Sequence, residues 1–155
     1  MSELYKKLFD SADELRKNID AAEYKHVVLG LVFLKFISDK FYLNYNKLSK
    51  TKDADPDDPD EYISRNIFYL PKKSRWDFIV SNARQAEIGN LIDDALINIE
   101  KLNPSLDDVL PKVFSKPNLD QSSLGQLIDR FNNIDEDIKN TDREDFFGEI
   151  YEYFL

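Results

Sequence analysis

From Val27 to Leu34 the chain reads Val-Val-Leu-Gly-Leu-Val-Phe-Leu, without one polar side chain. A helix through this stretch is apolar on every side, so other elements must cover it all round. A membrane span needs about 20 such residues, and this run, bounded by Lys25 and Lys35, is far shorter. It marks the centre of a folded domain. The β-branched valines alone also suit a buried strand. The flanks argue for helix: Asp20 can cap the free first-turn amides, Glu23 completes a capping box, and Ile19 and Tyr24 can form a hydrophobic staple. With no turn residues in the way, the expectation is a central helix over about residues 21–48.

Helical periodicity continues on both sides. Leu4, Leu8, Ala12, Leu15 and Ile19 form one apolar stripe. Ser74 with Asp77 resembles a capping box opening a helix that carries Trp76, Ile79, Val80 and Ala83. Ile88, Leu91, Ile92, Ala95, Leu96, Ile99 and Leu102 give the cleanest amphipathic pattern, ended by Pro104. Leu124, Leu127, Ile128 and Phe131 mark another helix. Thr141 with Glu144 caps a last one bearing Phe146, Phe147, Ile150 and Phe154. The fold class expected is all-α: a multi-helix bundle around the central hydrophobic helix.

Between the helices the character changes. Residues 49–60 hold two prolines and five aspartates and read as a mobile, solvated acidic loop. Pro59 is placed to open a short helix through Asn66. Ile67 to Leu70 reads as extended, and a short turn spans Leu106 to Leu110. Leu70-Pro71-Lys72 and Leu110-Pro111-Lys112 repeat one tripeptide, and the two extended arms suit at most a small β-ribbon. The chain closes as Tyr151-Glu152-Tyr153-Phe154-Leu155, inside an aromatic helix, where domains usually end in polar residues. The expectation is one helical domain over 1–155, with more polypeptide following.

Composition narrows the chemistry. At 155 residues the chain suits one domain with a real core. It lacks cysteine, which removes disulfides, thiolate nucleophiles and cysteine metal sites. One histidine, His26, leaves little room for imidazole catalysis and is expected to be partly buried against a carboxylate or carbonyl. The four glycines are too scattered to cradle a phosphate. Asp53, Asp55 and Asp57 invite a calcium loop, but Asp58 then stands where glycine is needed and Ser64 where a bidentate glutamate is needed. The neighbours Asp93/Asp94 and Glu144/Asp145 point to different helix faces and are expected to face solvent. The start, Met1 to Lys7, has no secretion signal, so a soluble cytoplasmic protein is expected.

Net charge is −9, the wrong sign for a free-standing DNA binder. It is uneven: +2 over residues 1–50, −5 over 51–62, +1 over 63–117 and −7 over 118–155. Lys72, Lys73 and Arg75, joined by Lys112 and Lys116, are the candidate nucleic-acid residues. They suit an edge that touches the DNA backbone inside a larger assembly; the alternative is an ordinary charged loop.

Several segments together resemble one family. Leu15 to Asp39, Pro71 to Trp76, Ile88 to Ala95, Asn103-Pro104-Ser105-Leu106 with Val109-Leu110-Pro111, Leu124 to Asp129 and Gly148 to Leu155 are similar to the opening of the modification subunit of type I restriction-modification systems. Only the acidic loop falls outside this likeness, and the order and spacing of the pieces carry it. The resemblance implies a helical N-terminal domain ahead of a Rossmann-like domain that binds S-adenosylmethionine and methylates adenine N6 in DNA. There the motif Asp/Asn-Pro-Pro-Tyr/Phe holds a flipped-out adenine. Asn103-Pro104-Ser105-Leu106 lacks the second proline and the aromatic, and the glycine-rich cofactor loop is absent. No catalytic, cofactor-binding or metal residue is therefore assigned in this chain; that machinery is expected beyond Leu155. The partners implied are a specificity subunit, a second modification subunit, a restriction (motor) subunit and DNA in the assembled complex, with no membrane. Two other readings stay open: a self-standing helical interaction or regulatory module, and an unfamiliar enzyme working with carboxylates.

Overall fold

The computed structural model describes residues 21–133, with side chains from Glu23 onward. The expected helices around Leu4–Ile19 and Thr141–Phe154, the cap at Asp20 and the Glu144/Asp145 pair lie outside the described residues. Within them run α1 (Ala21–Ser49), α2 (Asp60–Ile63), α3 (Trp76–Ser81), α4 (Ile88–Leu102) and α5 (Gln121–Asn133), with 3-10 turns at Lys72–Ser74 and Pro104–Leu106. The fold is all-α.

α1 is the central helix that the apolar block requires. Every residue from Val27 to Ser38 is buried. Each Val, Leu or Phe taken out of water there contributes about 1.5–3 kcal/mol before entropy is charged against it. Lys35 is buried with them, and its ammonium meets both oxygens of Asp39 one turn on, at 3.0 and 2.9 Å. Beyond Asp39 the helix becomes two-sided, with Phe41 and Leu48 inside and Lys40, Leu43 and Lys47 outside. His26 is exposed rather than partly buried, because it precedes the point where cover becomes continuous.

α4 matches its expected bounds. Ile88, Ile92, Ala95, Leu96 and Ile99 face the core, whereas Leu102, at 38% exposure, leaves it in the last turn. α4 packs against α3, α5 and both 3-10 turns. Two glycines permit the closest approaches. A Cβ on Gly125 would stand 2.1 Å from the Ala83 carbonyl oxygen, and one on Gly89 would stand 2.1 Å from that of Phe114. Neither backbone oxygen has room for a methyl group.

Three local expectations are corrected by longer-range contacts. Ser74 does not cap α3: its hydroxyl is buried and donates to the Ala95 carbonyl at 2.9 Å. The first amide of α3, on Trp76, instead donates to Ser38 Oγ of α1 at 3.0 Å. The short helix after Pro59 stops at Ile63, three residues early, and the chain turns at Asn66 with a left-handed φ of 58°, which asparagine tolerates. The Leu-Pro-Lys arms form no ribbon, and no strand occurs among the described residues. The first arm bonds its Tyr69 backbone to the side chain of Asn103, just past α4, and the second bonds its Phe114 and Ser115 amides to Asp93 of α4.

Candidate nucleic-acid interface

The first arm, residues 67–76, carries Lys72, Lys73 and Arg75. Asn103, just past α4, takes the part of a neighbouring strand. Its Oδ1 accepts the Tyr69 amide at 3.0 Å, and its Nδ2 donates to the Tyr69 carbonyl at 2.9 Å and to the Ile99 carbonyl at 2.8 Å. The Asn-Pro pair that imitates a methyltransferase motif is thus a structural clasp.

Arg75 turns inward. It is only 8% exposed, and its Nε donates to the Leu70 carbonyl at 2.9 Å. Its guanidinium carbon lies 4.6 Å from the Phe41 ring centre and 5.4 Å from that of Tyr45. Such contacts reach about 2 kcal/mol when desolvated. Tyr62 stacks on Phe41 at 4.8 Å, and Tyr69 meets both rings edge-on. Asp57 Oδ1 is 4.0 Å from the guanidinium.

The same aromatics hold the acidic loop. Tyr62 donates its hydroxyl to the Pro56 carbonyl at 2.6 Å, and Tyr69 donates to that of Asp57 at 3.4 Å. Burial pushes the Tyr62 hydroxyl up to about 12, against the opposite pull of Arg75. Within the loop, Asp55 accepts the Asp57 amide and Asp58 accepts the Asp60 amide. These carboxylates shape turns, and the described residues contain no cluster of three metal-ligating side chains.

The second arm, residues 110–116, is fastened by charge. Asp93 is buried, not solvent-facing: it accepts the amides of Phe114 at 3.1 Å and Ser115 at 3.0 Å, and the Ser115 hydroxyl at 2.5 Å. Its neighbour Asp94 is exposed. Buried Glu100 accepts Lys112 Nζ at 2.7 Å. Lys116 Nζ reaches Glu23 at 2.6 Å, and Asn118 donates to the same carboxylate at 2.9 Å. These bonds, that of Lys116 foremost, hold the Glu23 carboxyl below its ordinary value.

The five candidate cations therefore separate. Arg75 is enclosed by rings, while Lys112 and Lys116 are tied to carboxylates. Lys72 and Lys73 remain exposed on the first 3-10 turn, without an ion pair among the described residues. Lys73 lines an open groove of about 400 Å³ together with Phe78, Asp94, Asn98 and Lys101. Lys101 carries no sequence signal of its own, since only the fold brings the last turn of α4 beside residue 73. Elsewhere Tyr42 donates to Asp77, and burial, then this bond, pushes the Tyr42 hydroxyl above its ordinary value. What the exposed pair offers is point charge for an anionic backbone.

Residues 4–131 match the family model described as the HsdM N-terminal domain. The chain is also 37% identical, over 99% of its length, to the type I restriction enzyme MjaIX methylase subunit of Methanocaldococcus jannaschii. The chain belongs to the HsdM N-terminal domain family. It spans 30% of the length of that relative. What the HsdM N-terminal domain contributes here is the frame just described: one enclosed helix, two arms laid on α4, and a short exposed basic turn. No helix among the described residues is long and apolar enough to cross a membrane.

Proposed function

We propose that this chain is the N-terminal helical domain of a type I restriction-modification DNA adenine-N6 methyltransferase, non-catalytic by itself, and that it serves subunit assembly and the enclosure of DNA. The single observation that carries the reading is the family match across residues 4–131. The parent enzyme uses S-adenosylmethionine, held by polypeptide outside this chain. It works in the cytoplasm with a specificity subunit, a second modification subunit and a restriction subunit. Lys72 and Lys73 are the residues of this chain presented to DNA phosphates, and the acidic remainder faces away.

The test is a methyltransferase assembled with and without residues 1–155. Loss of DNA methylation with S-adenosylmethionine binding retained is the expected result; full methylation and normal assembly without the domain would refute the proposal. Calorimetry of this chain alone with S-adenosylmethionine should show no binding. In the assembled enzyme, K72E with K73E should lower the slope of log affinity against log salt by about 1 for each lysine that meets a phosphate.

A further inference from the structure

Arg75 is buried with part of its hydrogen-bonding capacity unmet. Its side chain is 10% exposed, and Nη2 is buried without a hydrogen-bond partner. Nε is committed to the Leu70 carbonyl, and the rings of Phe41 and Tyr45 face the cation without offering an acceptor atom. A buried charged donor left unpaired is destabilising.

One carboxylate stands just short of it. Of the five aspartates in residues 49–60, Asp57 alone comes within 4.0 Å of a cation among the described residues, with Oδ1 4.0 Å from Arg75 Nη2. A charge-assisted hydrogen bond spans about 2.7–2.9 Å, so this gap is about 1 Å too wide. The other link from Asp57 to the first arm is slack as well. Its carbonyl accepts the Tyr69 hydroxyl at 3.4 Å, whereas that of Pro56, one residue earlier, accepts Tyr62 at 2.6 Å.

Arg75 also closes the basic turn. Its side chain reaches back to Leu70, its amide donates to the Lys72 carbonyl at 3.5 Å, and the Ser74 amide donates to that of Pro71 at 2.8 Å. Lys72 and Lys73 lie inside this ring of bonds. Whatever steadies the guanidinium therefore steadies the turn.

We infer that the acidic loop is a strap with an open and a closed seat, and that through Arg75 it regulates the order of the Lys72–Lys73 turn. In the closed seat the Asp57 carboxylate accepts a hydrogen bond from Nη2 and pairs the buried cation. In the open seat, that of this structure, the cation rests on the rings. Salt screens the carboxylate, which is 53% exposed, and so favours the open seat.

The inference needs neither DNA nor a partner and is independent of the proposed function. The readout is hydrogen exchange of the Ser74 amide in the full chain, at about 0.02 M and about 0.5 M salt. Wild-type exchange should quicken about threefold or more at high salt, because local opening follows the lost pairing. D57A should exchange at the quick rate in both buffers. D57E, one methylene longer, should exchange at least as slowly as wild type at low salt. D53N removes a charge from the same loop with no cation beside it and should match wild type. Asp53 and Asp57 are both exposed, so these variants keep the fold. A Ser74 rate unchanged in D57A, the same quickening in D53N, or D57E exchanging as fast as D57A would overturn the strap.

Discussion

Leu-Pro-Lys occurs twice, and the two copies diverge at the lysine. Leu70 and Leu110 are both buried, at 0% and 4% exposure. Lys72 then stands in solvent, whereas Lys112 bonds to Glu100, which is itself only 6% exposed. The cause lies in α4, on which both arms rest. To the first arm the helix and the residue that follows it present neutral groups, the Ala95 carbonyl and the Asn103 amide; to the second the helix presents the carboxylates Asp93 and Glu100. Identical tripeptides acquire different roles from the helix beneath them.

The largest effect should come from removing the neutral clasp. Asn103→Ala strands the buried Tyr69 amide and carbonyl and should cost about 3 kcal/mol, at about 1–3 for each orphaned group. Urea denaturation measures it, and a loss below about 1 kcal/mol would show that the first arm is held by its aromatics alone. Asp93→Ala, the matching cut in the second arm, should cost about 2 kcal/mol, because the Ser115 end of its clasp is open to water.

The tripeptides can be set against each other directly. Lys112→Met leaves the Glu100 carboxylate buried without its cation and should cost about 1–2 kcal/mol, less than for a fully buried pair because the lysine is partly solvated. Lys72→Met should stay within about 0.5 kcal/mol. Equal losses would erase the distinction between the arms.

The smallest effect appears only in alkali and concerns the aromatics beneath the first arm. Tyr62 holds its proton more tightly folded than unfolded, with its hydroxyl raised from 10.0 to about 12. Its contribution is fully present below pH 10 and is lost as pH rises towards 12. Tyr62→Phe should flatten that part of the stability curve, measured by denaturation at stepped pH.

Much of this was legible in the sequence, and the boundary is physical. α1 and α4 were readable because apolar spacing and a flanking Pro104 or an apolar block are local signals. The inward turn of Asp93 was not, because its partners, Phe114 and Ser115, lie more than 20 residues on. Arg75 looked like a companion of Lys72 and Lys73; only the fold reveals Phe41 and Tyr45 waiting for its guanidinium. Of the basic edge, the residue type was legible, but not which cations the fold had already neutralised.

The bond from the Trp76 amide to Ser38 has a consequence for the order of events. α3 is six residues long and has no side-chain cap of its own. A helix that short does not persist unaided in water, since nucleation is unfavourable. Its amides can resist deuterium only while α1 is seated against them. Exchange at the Trp76 amide and over residues 79–81 is therefore a built-in gauge of that seating, slowing when the two helices meet and quickening when they part.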